Sequence, residues 1–308
     1  MSKILVTGGA GFIGSHLVHE LTKSNQVVVI LRDIFPSPWS KWLEEALKGC
    51  IVVSGDILNE DLVGRVISTY AISHVVHLAC QAIVKTAVRN PLETLKVNAL
   101  GTAKILELCR QLEVDRTFIL STDKIYGEGM GKTENDPLIA TGIYETSKTC
   151  QDFIAQTYMD TYGLDITIGR ACNVYGYDKA SRIVSNTIRS CILGEPPIIY
   201  QGEEETKRQY IYVRDLVSAI KFLMLSTVKK GIFNIATDDI LTQEQVVRKI
   251  CNYFPLTPKL VKRDKSLKEI QKQSVNWNKL KALGWKPKHS FEEGIKLTIE
   301  RFEKYGGY

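Results

Sequence analysis

Ile4-Leu5-Val6-Thr7-Gly8-Gly9-Ala10-Gly11-Phe12-Ile13-Gly14 opens the chain and decides how the rest of it is read. A short apolar strand runs straight into glycines, and Ser15 to Ser24 then carries Leu17, Val18 and Leu21 at helical spacing. Both a GxGxxG and a GxxGxxG spacing fit the turn. Glycines allow a tight turn and close backbone approach, and the helix that follows presents its N–H groups to a pyrophosphate. In this strand, turn and helix context, Gly8, Gly11, Phe12, Ile13 and Gly14 are expected to cradle a dinucleotide.

Working outward, the alternation repeats. Val27 to Leu31 and Cys50 to Val53 read as strands, Trp42 to Leu47 and Asp61 to Tyr70 as helices, and Val75 to Leu78 as the fourth strand. A long helix is predicted over Glu93 to Leu112 and a fifth strand over Thr117 to Leu120. A second long helix, Tyr144 to Tyr162, then feeds a strand from Asp165 to Arg170. Strands that are apolar throughout, joined by helices through short connections, predict an α/β fold with a Rossmann-type, doubly wound parallel sheet. Near Asn173 the rhythm changes to smaller helices, short strands, the pair Pro196-Pro197 and a polar loop from Gly202 to Lys207. The division expected is a dinucleotide-binding domain with the catalytic residues over 1–170. Residues 171–308 are then mainly a smaller C-terminal substrate-binding lobe, returning some elements to the main sheet.

The 308 residues are 44% hydrophobic and 24% charged, which excludes a disordered or fibrous chain. Forty Lys and Arg against 34 Asp and Glu favour an anionic ligand modestly. These basic residues form no dense block, so no nucleic-acid partner is expected. Seven cysteines, an odd number without a CxxC pair, read as reduced thiols, and five histidines without HExxH give no metal site a foundation. The first apolar run meets glycine after four residues, so neither a leader nor a membrane span is expected and the location read is cytoplasmic.

A carboxylate at the end of the second strand would bind ribose hydroxyls, whereas an arginine meets a 2′-phosphate. The sequence there is Val29-Ile30-Leu31-Arg32-Asp33. With Arg32 beyond the strand end, NADP is the preferred cofactor, and neighbouring Asp33 keeps NAD possible. Asp56, after Gly55, reads either as an adenine contact or as a strand-end cap. For the chemistry, Tyr144 and Lys148 stand four residues apart at the start of a helix, which places phenol and ammonium on one face. A phenol is a poor base at neutral pH unless a cation favours its phenolate. Thr122, at the end of strand five, is positioned to hold a substrate hydroxyl or that phenolate.

These motifs together resemble the extended short-chain dehydrogenase/reductase family, in its nucleotide-sugar epimerase and dehydratase branch. Gly8, Gly11 and Gly14 match the family's cofactor turn, Asp56 with Ile57 its adenine side, and His77-Leu78-Ala79 its fourth strand. Asn98-Ala99-Leu100-Gly101-Thr102 is similar to its central helix, and Tyr144 with Lys148 to its catalytic pair. Arg170-Ala171-Cys172-Asn173-Val174-Tyr175-Gly176 resembles a segment that places Asn173 near the sugar nucleotide's phosphates. Arg208 to Asp215 resembles an element whose arginine binds the diphosphate, and Leu283-Gly284-Trp285-Lys286-Pro287 is typical of the branch. Lys85, Arg182 and Arg189 are further candidate ligands of phosphate or sugar. The resemblance implies an NDP-sugar partner and a homodimer built through the two long helices.

Thr122-Asp123-Lys124 departs from the Thr-Asp-Glu of sugar-nucleotide 4,6-dehydratases and is closer to the CDP-glucose dehydratase group, with Tyr126 following Asp123-Lys124-Ile125. The implied reaction is internal redox. Tyr144 takes the O4 proton as C4 gives hydride to NAD(P), Lys124 removes the C5 proton, and Asp123 protonates the departing O6. Hydride return to C6 gives a 4-keto-6-deoxy sugar, so a 4,6-dehydratase is the main expectation. Alternatives are a 4-epimerase, a 5,6-dehydratase or C5-epimerising dehydratase acting on UDP-GlcNAc, and, from another class, a non-catalytic redox sensor.

Overall fold

The apolar runs become the inner strands of one sheet because helices cover both of its faces. In the computed structural model, which describes residues 2–32, 40–202, 204–225, 230–262 and 270–306, they are β1 (Lys3–Thr7), β2 (Gln26–Leu31), β3 (Ile51–Ser54), β4 (His74–His77) and β5 (Arg116–Thr122). Strands Ile166–Ala171 and Gly231–Ile235 complete the sheet. The order is β3-β2-β1-β4-β5, then Ile166–Ala171, then Gly231–Ile235, and every neighbouring pair is parallel. The winding reverses between β1 and β4, and the crevice beyond the carboxyl ends of strands at such a switch is where these sheets take ligands. This is the doubly wound Rossmann architecture that the alternation predicts.

The two regions exchange elements in both directions. Gly129–Lys132 leaves the first half to pair with Lys272–Val275 in a second sheet, whose other members are Ile240–Thr242, Lys207–Tyr212 and Asn173–Tyr175. Conversely, Gly231–Ile235 returns to the edge of the main sheet. One hydrophobic cluster runs from Ile4, Val6 and Val29 through Ile211 and Leu216 to Trp277 and Trp285, so residues from both ends of the chain share a core.

The long helix expected over Glu93 to Leu112 begins earlier, at Pro91, and contains a wide π-turn at Lys96–Leu100 before Gly101–Gln111. Such single turns inside helices are rare and often sit at functional sites. Asn98 lies at the centre of this one. It is fully buried, its Oδ1 accepts the Gln81 N–H at 2.7 Å, and its Nδ2 donates to Gln81 O at 3.1 Å and to Ser147 Oγ at 2.9 Å.

Candidate active site

The glycine turn is shaped by close approach. Gly8 has φ +73°, and a Cβ on it would stand 2.7 Å from the backbone nitrogen of Ala79, at the end of β4. A Cβ on Gly14 would lie 2.1 Å from Gly8 O. Gly11 precedes helix α1 (Phe12–Leu21) without any side-chain cap, so the first N–H groups of α1 have no side-chain acceptor of their own. This cradle suits a pyrophosphate, with helix dipole and N–H groups aimed at the anion. Leu78 and Ala79 close its other wall, donating their N–H groups to Thr7 O at 3.2 Å and to Thr7 Oγ1 at 3.3 Å. Arg32 is exposed one residue past β2, and Asp33 lies outside the described residues. Asp56 Oδ1 accepts the Leu58 N–H at 2.9 Å, a strand-end cap, while Ile57 is buried beneath Gly101.

Thr122 ends β5 and shapes the turn that follows. Its Oγ1 donates to Asp123 Oδ1 at 3.2 Å and accepts the Lys124 N–H at 3.3 Å, starting the single 3-10 turn Asp123–Tyr126. That turn drives the Asp123 carboxyl inward until it is 1% exposed, with Oδ2 lacking any hydrogen-bond partner. Burial raises its pKa from the ordinary carboxylate value, against the opposing pull of Lys124, Thr122 and Arg208. Lys124 itself is half-buried.

Tyr144 and Lys148 lie in the first turns of the helix Ile143–Thr161, and both are buried. Burial pushes the phenol well above its ordinary pKa, with Cys80 and Asp123 reinforcing the shift and Arg182 opposing it. The Lys148 ammonium is pushed down by burial, while Cys80 and Asp152 favour its charge. Lys148 Nζ donates to Leu120 O at 2.7 Å and to Gln151 Oε1. Tyr144, Asp123, Arg182 and Cys80 therefore share one electrostatic field, in which Cys80 also acts on Lys148.

The remaining candidates are placed less uniformly. Asn173 Nδ2 donates to Gln209 O at 3.1 Å and so ties two lobe strands together. Arg182 pairs with Asp178 and stands 5.3 Å over the Phe12 ring, beside the glycine turn. Arg189 donates to the carbonyls of Ala180 and Asp178, a structural position. Arg208 donates to Lys207 O at 2.9 Å and Gln271 O at 3.2 Å, yet its charge reaches Asp123. Lys85 is exposed on the short helix Val84–Arg89. The motifs gave no hint of Gln273. From a strand 150 positions away in sequence, its Nε2 donates to Asp123 O and Gly127 O, both at 3.1 Å, and pins the 3-10 turn. Cys80 and Gln151 were equally unmarked, since nothing local distinguishes them from packing residues.

A family model described as "NAD dependent epimerase/dehydratase family" matches residues 4–236. The chain belongs to that family. Its members are NAD(P)-dependent enzymes that modify nucleotide sugars, of the short-chain dehydrogenase/reductase type. The UDP-glucose 4-epimerase of Thermotoga maritima, solved with UDP-glucose, superposes with a TM-score of 0.89 at 30% identity, covering 98% of this chain and 99% of that one. DesIV, a dTDP-glucose 4,6-dehydratase of Streptomyces venezuelae solved with NAD bound, gives 0.88 at 26% identity over 98% and 97%. A trifunctional UDP-glucose 4,6-dehydratase/UDP-4-keto-6-deoxy-D-glucose 3,5-epimerase/UDP-4-keto-L-rhamnose-reductase of Arabidopsis thaliana is 30% identical over 317 residues, 96% of this chain. The chain spans about half the length of that relative, 46%. No helix among the described residues is long and apolar enough to cross a membrane.

Proposed function

We propose that this chain oxidises C4 of a nucleoside-diphosphate hexose and carries the resulting ketone on to loss of water, as a 4,6-dehydratase. The observation that carries the second half is Asp123, a carboxyl buried beside Thr122 with one oxygen unpartnered and its proton held more tightly than usual. A buried carboxyl that holds its proton more tightly than an ordinary one is the kind of acid a departing O6 needs, and a simple 4-epimerisation has no step that uses it.

The cofactor, when bound, accepts hydride from C4 and gives it back. The chain's own residues do the rest. Tyr144 receives the O4 proton, Thr122 holds that hydroxyl in line, Lys124 takes the C5 proton once the C4 ketone has acidified it, and Asp123 protonates O6. Because burial keeps the Tyr144 phenol protonated, its ionisation requires positive charge beside it; Arg182 already opposes the shift, and Lys148, four residues on along the same helix, is the proposed further source. Arg208, Arg182, Asn173 and Lys85 are proposed to engage the diphosphate and sugar, chiefly from the 171–308 lobe. The position of Arg32, an exposed residue one place past β2, supports a preference for NADP over NAD. The exposed apolar residues on the two long helices support a homodimer.

A second reading, a 4-epimerase, is favoured by the higher identity to the Thermotoga epimerase and by a lysine where a carboxylate base would be expected at 124. Incubation with UDP-, CDP-, GDP- and dTDP-hexoses in deuterated water, followed by proton NMR, separates the two. Deuterium uptake at C5 with a product methyl signal is the expected result. Interconversion of 4-epimers without C5 exchange would replace dehydration by epimerisation, and a vinyl signal would identify a 5,6-ene product.

A further inference from the structure

A buried polar chain leads from the Lys148 ammonium to the end of β1, and counting its protons fixes every donor in it. Thr102 Oγ1 donates to Asn98 O at 2.8 Å, which commits its single proton. The two other groups on that oxygen must then be donors. They are Gln151 Nε2 at 2.9 Å and His77 Nε2 at 3.0 Å. With its proton on Nε2, the neutral His77 ring accepts at Nδ1, from Thr7 Oγ1 at 2.8 Å, and Thr7 Oγ1 in turn accepts the Ala79 N–H at 3.3 Å. Gln151 is left with one amide orientation, its Oε1 toward Lys148 Nζ. Thr7, His77 and Thr102 are fully buried and Gln151 is 1% exposed.

The neutral ring that this counting requires agrees with its setting, because burial, helped by Lys148, pushes the His77 pKa down to about 3. Protonating Nδ1 would turn an acceptor into a donor and face it with the Thr7 hydroxyl proton. The chain is therefore a buried, uncharged scaffold running from the wall of the proposed cofactor cradle to the helix that carries Tyr144 and Lys148.

We infer that Gln151 is the positioning residue for Lys148, holding the ammonium with a neutral acceptor so that its charge remains available to the Tyr144 phenol. A carboxylate at 151 would hold Lys148 as firmly but would neutralise it and oppose the phenolate. An apolar residue would break the chain at Lys148 and leave Leu120 O, at 2.7 Å, as the ammonium's remaining acceptor named above. The other groups in the field are Asp152 and Glu145 on the same helix, Cys80 after β4, His77 on β4, Asp123 after β5, and Arg182 from the lobe. Asp152 is already engaged by a buried pair with Arg170. The inference rests on the proposed base role of Tyr144, and the test keeps the two apart.

The Nζ nitrogen of Lys148 is to be titrated by NMR in the full-length protein without ligands, using ¹⁵N-lysine labelling and a Lys148→Arg variant to assign the signal. Gln151→Glu is expected to raise the Lys148 pKa by about one unit or more, as a buried opposite charge does, and the near-isosteric Gln151→Met to lower it. The same spectra of labelled histidine should show His77 as the Nε2–H tautomer, not titrating between pH 5 and 8, with its ring signals moved by Gln151→Met. Equal Lys148 pKa values in wild type and both folded variants, or an Nδ1–H tautomer at His77, would overturn the inference. With NAD+ added, the Tyr144 phenolate is followed by ultraviolet difference against Tyr144→Phe. Its appearance should move to higher pH in Gln151→Glu. If wild type and Tyr144→Phe give identical titrations, the base role of Tyr144 is wrong, while the Lys148 readout still judges Gln151.

Discussion

Desolvation raises the pKa of two buried acids, Asp123 and Tyr144, yet the proposed chemistry asks one to give its proton and the other to lose it first. Tyr144→Phe keeps ring and packing while removing the acceptor of the O4 proton. Formation of reduced cofactor should fall by about 10²- to 10⁴-fold, with calorimetric binding of cofactor and nucleotide sugar close to wild type. Asp123 makes a separate prediction about stability. Its folded pKa lies above the ordinary 3.8, so the native state holds that proton more tightly than the unfolded chain does. The stabilisation is present below the unfolded value and is lost as pH rises through the folded one. Asp123→Asn removes that loss, so it should melt higher than wild type at pH 7 to 8, and the gap should close toward pH 4. Melting curves across that range check the sign, and a gap that widens toward acid would show that the carboxyl is ionised in the native state.

Among the elements, the π-turn Lys96–Leu100 does most to position the site, because one side chain in it holds two others in place. Asn98 binds both backbone groups of Gln81, after β4, and the Ser147 hydroxyl on the helix Ile143–Thr161. Asn98→Ala leaves buried groups unpaired and should cost about 1–3 kcal/mol, read as a lower Tm. Cofactor affinity should fall with it, since the segment after β4 walls the cradle. What was legible in the sequence is local in origin. Glycines after a strand, apolar runs and an i,i+4 Tyr and Lys are short-range patterns, and they located β1 to β5, the glycine turn after β1 and the helix Ile143–Thr161 to within a residue or two. The π-turn, the strand Gly129–Lys132 and the grip of Gln273 on the 3-10 turn arise from pairings across as many as 150 positions, which no local period records. The same holds for Arg170, whose buried guanidinium donates to both Asp152 oxygens, at 3.0 and 2.7 Å, and to Tyr126 Oη at 2.7 Å.

Across the whole molecule, the two long helices are joined to each other and still leave apolar surface outward. Tyr158 on the helix Ile143–Thr161 donates to Glu107 at 3.2 Å, and Arg110 stands 5.3 Å over the Tyr162 ring, so the two helices are tied together. Yet Leu92 is 73% exposed, Phe153 53% and Leu100 49%. Large apolar side chains on adjoining helices favour a partner surface over water, and a two-fold axis lets a second copy offer the same residues in return. Four helices meeting in this way would bury an area of the order of 1,600 Å², typical of a stable interface. The wild-type protein is therefore expected to sediment as a dimer at micromolar concentration. Leu100→Glu or Phe153→Glu would place a carboxylate on the proposed interface in each copy, where burial would strip its hydration. Each variant should sediment as a monomer with its far-ultraviolet circular dichroism unchanged, and Leu92→Glu, nearer the start of the helix, should weaken the dimer less. A wild-type protein that sediments as a monomer at tens of micromolar would remove the homodimer from the proposal and leave the Tyr144 chemistry untouched, because every residue in that chemistry comes from one copy.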